Sequence, residues 1–169
     1  IAGLKLCKAY SKQNNCNFIS AMPTNLYGPR DNFDIKSCHV LPALINKIDT
    51  VVKKKKKSVV LWGSGKPKRE FLFVDDLVVA LVFLMKNYNK SDHINVGSGN
   101  EVSILNLAKV SAKVIGFKGK FIFDRSKPDG TPRKLINSKK INSLGWKSKA
   151  SLFDGINLTY QWYLKNKSK

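Results

Sequence analysis

Residues 59–85, VVLWGSGKPKREFLFVDDLVVALVFLM, carry the pattern that decides the fold. A short run of β-forming residues at 59–62 ends at Gly-Ser-Gly, and a second such run covers residues 70–74. The pair Asp75-Asp76 then stands where a helix N-cap is expected, ahead of an apolar helix at 77–85. Two strands followed by a helix predict an α/β architecture.

The segments on either side continue this alternation. Apolar spacing predicts helices at residues 1–14, 38–48 and 104–115, and a last one that opens at the capping box Ser151-x-x-Asp154. Short strands are predicted at residues 17–22, 94–96 and 121–123. Ser103 and Gly116 are the expected caps of the helix at 104–115. Residues 23–30 are predicted to be irregular because of their Pro and Gly content, and the five lysines at 53–57 a solvated loop.

Composition places the chain among ordinary globular proteins. It has 169 residues, of which 43% are hydrophobic and 25% charged, so general disorder is excluded. The net charge of +20 suggests a polyanion partner such as nucleic acid. However, the arginines are only Arg30, Arg69, Arg125 and Arg133, and every other basic residue is a Lys. Compositional bias therefore explains the charge better than a base-reading surface does.

Cysteine usage and hydropathy indicate the cellular compartment and whether the sequence contains a membrane span. The three cysteines are odd in number and form no C-x-x-C pair, which fits a reducing, cytoplasmic compartment and predicts no metal site. No apolar run reaches the roughly 20 residues that a membrane span requires.

Two irregular segments in the first half of the chain carry candidate functional groups. Thr24 and Asn25 follow a buried strand, where α/β sheets bind ligands, and a rigid turn explains them equally well. His39 precedes an apolar helix and could accept a proton. From the residues alone, a hydrogen-bonded structural histidine is the favoured interpretation of His39.

Two further segments could bind a phosphorylated ligand. Trp62 could stack on a base and Arg69 could bind a phosphate across a hairpin-like turn, or they are a core Trp and a surface Arg. In residues 126–134, Asp129 could accept sugar hydroxyls and Arg133 or Lys134 could contact a phosphate, whereas composition alone favours a tight turn.

Five motifs in order resemble the GDP-L-fucose synthase family of extended short-chain dehydrogenases/reductases. They are MPTNLYGPRDNF (22–33), SCHVLPAL (37–44), VVLWGSGKPKREFLFVDDL (59–77), HINVGSGNEVSI (93–104) and SKPDGTPRK (126–134). The resemblance implies the C-terminal part of an NAD(P)-binding Rossmann-type domain together with a small substrate-binding domain. By this resemblance, residues 1–36 and 70–105 belong to the first domain, and residues 37–69 and 106–169 to the second.

The activity that the resemblance implies is NADPH-dependent 3,5-epimerisation and 4-reduction of GDP-4-dehydro-6-deoxy-D-mannose, in a cytoplasmic homodimer that binds neither nucleic acid nor membrane. The alternatives are another NAD(P)-dependent nucleotide-sugar epimerase or dehydratase of the same family, or a catalytically incomplete basic binding fragment. The resemblance also locates the family's glycine-rich fingerprint and its Tyr-x-x-x-Lys pair upstream of these residues. The chain is therefore expected to lack that pair and to be inactive alone.

Site residues follow from the resemblance position by position. His39 resembles the acid/base histidine and also a cofactor contact. The segment Pro23, Thr24, Asn25 and Leu26 resembles the one that packs on the nicotinamide end of NADPH. Substrate contacts are expected at Lys47, Trp62, Arg69 and Asp129.

Overall fold

The computed structural model describes residues 1–167, and helices and strands alternate along them. The helices are α1 Ala2–Asn14, α2 Val40–Lys53, α3 Val74–Asn87, α4 Ile104–Ile115, α5 Lys139–Ser143 and α6 Leu152–Asn166. The strands are β1 Ala21–Pro23, β2 Asn25–Tyr27, β3 Ser58–Trp62, β4 Lys68–Phe73, β5 Ile94–Val96, β6 Glu101–Ser103, β7 Lys120–Asp124 and β8 Arg133–Lys134.

Parallel pairing dominates the strands. β1 pairs with β5, β2 with β4, and β3 with β7, all in parallel. β4 is the central strand, because it also pairs with β6 in antiparallel and with β8 in parallel. The α/β class expected from the sequence is thus confirmed.

Two clusters of buried apolar side chains hold these elements together. The larger cluster joins α2, α4 and α6 to β3 and β4, with Ile45, Ile48, Leu107 and Ile156 all at 0% exposure. The smaller cluster joins α3 and β5 to the region of α5. Burial of this kind supplies most of the stability of such a fold.

Serine caps fix the starts of two helices as the sequence predicted. The Ser103 hydroxyl accepts from the Asn106 N–H at 3.2 Å, and the Ser151 hydroxyl from the Asp154 N–H at 3.1 Å. The cap predicted at Asp75-Asp76 is wrong, since Phe73 is the N-cap of α3 and both acids lie in its first turn. Asp76 instead accepts backbone N–H groups from residues 149 and 150.

The segment predicted to be irregular, residues 23–30, contains a strand. β2 forms between Pro23 and Gly28 because β4 provides it with parallel partners, from Asn25 opposite Phe71 to Tyr27 opposite Phe73. The hairpin-like turn expected between β3 and β4 is also wrong, because β3 pairs with β7 and β4 with β2. Both corrections arise from pairing between segments distant in sequence, which local patterns do not report.

The lysine run is divided between a helix and a loop. Lys53 is the last residue of α2 and its ammonium pairs with Asp49 at 3.2 Å, whereas residues 54–57 form the exposed connection to β3. Lys55 has a φ of 51°, a turn conformation that reverses the chain. The predicted solvated loop therefore begins one residue later than expected.

Over residues 1–167, no helix combines the length and the apolar character needed to cross a membrane. Within the same range, no three His, Cys, Asp or Glu side chains gather closely enough to bind a metal ion.

Candidate functional site

A cavity of about 670 Å³ lies between β2, β4 and the start of α2. Its walls come from three places: residues 24–31 along β2 and the following loop, residues 39–42 at the first turn of α2, and isolated side chains of β4, α3 and β8. Those isolated side chains are Arg69, Phe71, Val74 and Lys134.

The β1–β2 junction is held rigidly against β4. The Asn25 side-chain amide donates to the Glu70 carbonyl at 2.8 Å, and the Thr24 hydroxyl donates to the same oxygen at 3.4 Å. The Thr24 N–H donates to the Val96 carbonyl at 3.1 Å, which ties the junction to β5. Asn25 is therefore oriented by backbone contacts, and its side-chain carbonyl accepts from no described residue.

His39 lies at the N-terminus of α2, and its side chain is exposed. It is the N-cap of the helix through its backbone, with no side-chain cap hydrogen bond, and its ring bonds to none of residues 1–167. The interpretation favoured from the residues alone, a hydrogen-bonded structural histidine, is thus not what the structure contains. An exposed imidazole on a cavity wall, with no hydrogen bond from its ring to a described residue, can exchange protons with a ligand.

Arg69 lies in β4 and lines the cavity, and two backbone carbonyls hold its guanidinium in place. Its Nη1 donates to the Lys68 carbonyl at 2.7 Å and to the Thr131 carbonyl at 2.6 Å. These two bonds fix one edge of the guanidinium and leave its other N–H donors without a described partner. Lys134 is the register partner of Arg69 in the parallel β4–β8 pair and also lines the cavity. Two cations therefore stand side by side on one wall.

The sequence left open whether Arg133 or Lys134 faces a phosphate, and the structure separates the two. The Arg133 guanidinium pairs with Glu101 at 2.6 Å, and Lys68 pairs with the other oxygen of that carboxylate at 2.9 Å. Hydrogen bonds from Lys68 and then Arg133 hold the pKa of Glu101 below its ordinary value. Arg133 is thus paired with Glu101 on the surface, and Lys134 is the cation at the cavity.

A second group of predicted residues gathers around Trp62, at the end of β3. Trp62 is 62% exposed, which excludes a core Trp, and the Lys47 ammonium lies 4.7 Å from its ring centroid. Next to it, the Asp129 carboxylate accepts from the Ser64 N–H at 2.8 Å and from the Ser64 hydroxyl at 2.6 Å. Those two bonds hold the pKa of Asp129 below its ordinary value.

The predicted site residues thus fall into two groups. Thr24, Asn25, Leu26, His39 and Arg69 line the large cavity. The second group, Lys47, Trp62 and Asp129, does not line it, and Pro23 lies outside it as the last residue of β1.

Two further cations line the cavity beside Arg69. Lys134 was one of the two phosphate contacts that the sequence left open, whereas Arg30 was not selected. Arg30 has a φ of 67°, an uncommon conformation for a residue other than Gly, and nothing in its local sequence reports that it lines the cavity.

One Tyr-x-x-x-Lys spacing occurs at the end of the chain, with Tyr163 in the last helix and Lys167 directly after that helix, and it is a different pair from the upstream one that the resemblance implies. Neither residue lines the large cavity. Tyr163 is 4% exposed within the larger apolar cluster, and Lys167 bonds to Asp49 at 2.5 Å. This pair is a packing feature and takes no part in the candidate site.

Comparison with known proteins defines the class of protein. The model of the NAD dependent epimerase/dehydratase family matches residues 1–97, and the chain belongs to that family.

Particular members are much closer than the family as a whole. The chain is 54% identical over 166 residues to a GDP-L-fucose synthase of Sinorhizobium fredii, which covers 98% of this chain and 53% of that relative. It is 45% identical to the GDP-L-fucose synthase of Escherichia coli, over 100% of this chain and 56% of the relative. The crystal structure of a GDP-L-fucose synthetase from Naegleria fowleri bound to NADP superimposes with a TM-score of 0.90 at 32% identity, over 98% of this chain and 54% of that one. The chain thus spans about half the length of the relatives that it matches.

Proposed function

We propose that this chain is the C-terminal part of a GDP-L-fucose synthase, which converts GDP-4-dehydro-6-deoxy-D-mannose to GDP-L-fucose with NADPH. One observation carries the proposal: a single cavity is lined by the imidazole of His39, by Asn25, and by two adjacent cations, Arg69 and Lys134. An acid/base group and an anion site within one cavity suit a sugar whose diphosphate is bound and whose ring is deprotonated.

Binding of the GDP moiety is assigned to the cationic side of the cavity and to the group around Trp62. Arg69 presents its unanchored N–H donors to the diphosphate, and Lys134 adds a second positive charge. The exposed ring of Trp62 offers a stacking surface, with the Lys47 charge close to it. Asp129 has lone pairs to spare beyond its bonds to Ser64, so it can accept from a sugar hydroxyl.

His39 is assigned one half of the acid/base set for the proton transfers at C3 and C5. The 4-keto group makes the protons on both neighbouring carbons acidic, so one acid/base set placed at the ketone can serve both inversions. Each inversion removes a proton from one face of the sugar ring and delivers a proton to the opposite face, so the exposed imidazole of His39 acts on one face and a second acid/base group acts on the other. Donors aimed at the ketone oxygen stabilise the enolate that forms in between.

The nicotinamide end of the cofactor is assigned to the β1–β2 junction. Asn25 keeps a free side-chain carbonyl, and Leu26, at 36% exposure, offers an apolar surface for a flat ring. Thr24 and Pro23 flank them. These groups fit a nicotinamide carboxamide and its ring, and NADPH bound there supplies the hydride that reduces C4.

The 169-residue polypeptide by itself is proposed not to complete the reduction. Tyr27 is the one tyrosine on the cavity wall, at 3% exposure. Burial, together with the charges of Asp76 and Asp154, raises the pKa of Tyr27 far above its ordinary value, so Tyr27 is a poor acid for the C4 oxygen. Incubation with NADPH and the 4-keto sugar nucleotide is expected to give no oxidation of NADPH, and any turnover contradicts this part of the proposal.

Domain division, assembly and location complete the proposal. The proposed division is a nucleotide-binding part at 1–36 and 70–105 and a substrate-binding part at 37–69 and 106–169, with each apolar cluster drawing residues from both parts. In support of a homodimer formed through α1, that helix has no buried residue and exposes Leu6 and Tyr10 at 58% and 49%. The three free cysteines support a location in the reducing cytoplasm.

Calorimetric titration with GDP tests the proposed function. We expect the chain to bind GDP more tightly than UDP and to lose about tenfold in GDP affinity on Arg69→Ala, because the paired donors at the diphosphate are removed. Arg133→Ala is the matched control, since this arginine is already paired with Glu101, and it is expected to leave the GDP affinity unchanged. Tight, salt-sensitive binding of heparin without any binding of GDP would instead favour the basic binding fragment.

A further inference from the structure

Glu70 is a buried carboxylate that the proposed chemistry does not use. It lies in β4 directly after Arg69 and its side chain is 0% exposed, although the chain as a whole is strongly basic. No Lys, Arg or His of residues 1–167 forms an ion pair with it. Burial of a carboxylate costs free energy unless hydrogen bonds replace its water, so its partners indicate what it does.

The partners of Glu70 are backbone groups from two separate loops. Its Oε1 accepts from the Gly99 N–H at 2.7 Å, in the turn between β5 and β6. Its Oε2 accepts from the Ile136 N–H at 3.2 Å, two residues beyond Lys134. Because both partners are N–H donors, both oxygens of the Glu70 side chain act as acceptors.

Gly97 makes room for this carboxylate. A Cβ at position 97 would come within 2.4 Å of the Glu70 Oε1 and within 2.8 Å of the Ser138 hydroxyl oxygen. The main chain of Glu70 meanwhile accepts from the side chains of Thr24 and Asn25. Thus one residue contacts the β1–β2 junction through its carbonyl, and the loops after β5 and β8 through its carboxylate.

We propose that Glu70 is the positioning residue of the anion site: it holds the segment after β8 so that Lys134 lies beside Arg69 on the cavity wall. This inference rests on the proposed function. The parallel β4–β8 pairing joins Lys68 with Arg133 and Arg69 with Lys134, and the bond from the Lys68 N–H to the Pro132 carbonyl at 2.8 Å holds the segment before it. A pairing of two residues is short, so the bond from Ile136 to the carboxylate adds a constraint on the other side, directly after Lys134.

Glu70→Gln is the variant that removes the constraint with the least change of shape. A Gln amide has only one oxygen, so its NH₂ group faces one of the two N–H donors and cannot bond to it. We expect the GDP affinity to fall about tenfold, and the amide hydrogen of Ile136 to exchange faster with solvent. Asp49→Asn is the matched control, a buried acid elsewhere that is expected to lower stability and leave the GDP affinity within about twofold of wild type.

A double-mutant cycle with Lys134→Ala separates positioning from general destabilisation. If Glu70 acts through Lys134, then Glu70→Gln changes the GDP affinity by less than about twofold once Lys134 is Ala. Effects that multiply in the double variant overturn the inference, and so does wild-type GDP affinity in Glu70→Gln. If Glu70→Gln does not fold, Glu70→Asp takes its place, because it keeps the charge but draws both oxygens back from the two N–H groups.

Failure of this inference is distinguishable from failure of the proposed function. Wild-type protein that binds no GDP refutes the function. Amide exchange at Gly99 and Ile136 does not depend on GDP, so unchanged exchange in Glu70→Gln refutes the positioning role in either case.

Discussion

Asp49→Asn is expected to destabilise the chain by about 3 kcal/mol at pH 7, through loss of a buried charge that joins α2 to α6. The Asp49 carboxylate is 2% exposed and accepts from the Tyr160 hydroxyl at 3.0 Å. It also pairs with Lys167 at 2.5 Å and with Lys53 at 3.2 Å. Each of these bonds loses its charged acceptor in the variant.

The magnitude follows from the exposure of the three partners. Lys53 is 55% exposed, so its pair one helical turn away contributes only about 0.4 kcal/mol. Lys167 is 34% exposed and its partly screened pair contributes about 1 kcal/mol. The hydrogen bond from Tyr160 to a charged acceptor contributes about 1.5 kcal/mol.

The sign of the pH dependence provides a second measurement on the same variant. Burial by itself raises the pKa of Asp49, but the hydrogen bonds from Lys167, Lys53 and Tyr160 outweigh it, so the pKa in the folded protein is below the ordinary value. The stabilisation is therefore fully present above the unfolded pKa of about 4, and it is lost as the pH falls through the folded pKa. The difference in stability between wild type and Asp49→Asn should shrink accordingly below about pH 4.

Urea unfolding followed by circular dichroism at several pH values measures both effects. Asp92→Asn is the control, since that acid pairs with Lys8 on the open surface and its replacement is expected to leave the stability unchanged. The reasoning would be refuted if Asp49→Asn lowered the free energy of unfolding by less than about 1 kcal/mol at pH 7. It would also be refuted if the difference in free energy of unfolding between wild type and variant were the same at pH 7 and pH 3.

Three further outcomes are expected. Ser103→Ala should lower the free energy of unfolding by about 1 kcal/mol in urea titrations, because the Asn106 N–H loses its cap, and an unchanged midpoint would contradict the capping role. Gly155→Ala should cost about 2 kcal/mol in the same assay, since the new Cβ would lie 2.2 Å from the buried Tyr27 hydroxyl, and a stabilised variant would show that this contact relaxes freely. Arg69→Lys keeps the charge but should weaken GDP binding several-fold in calorimetry, because an ammonium cannot replace the paired N–H donors of the fixed guanidinium. Full GDP affinity in this variant would mean that the positive charge alone is sufficient.

The local sequence was sufficient to predict where two helices begin, because each of them starts at a capping serine. Ser103 and Ser151 were predicted as caps and serve as caps, because the hydroxyl and the N–H that it accepts from lie within three residues. β2 was missed because its only support is β4, more than 40 residues away in the chain. The Asp75-Asp76 cap failed because Asp76 bonds instead to a backbone segment near residue 150.

The same distinction applies to the candidate site. His39, Asn25 and Arg69 were selected from motifs, and the structure brings them to one cavity. The preference for Lys134 over Arg133 was beyond local reasoning, because it depends on Glu101, a residue about 30 positions earlier that pairs with Arg133 and not with Lys134. Long-range ion pairing therefore decides which of two adjacent basic residues can meet a ligand.

The exposed lysine loop at residues 54–57 has a consequence for handling the protein. Proteases that cut after lysine favour exposed loop tips of this kind, and this one offers several adjacent bonds. One cut there divides the covalent chain between the two sides of the cavity, with His39 in the first fragment and Arg69 in the second. The fragments would stay associated through the apolar packing of α2 on α4, so a gel would report two pieces where the native protein still behaves as one particle.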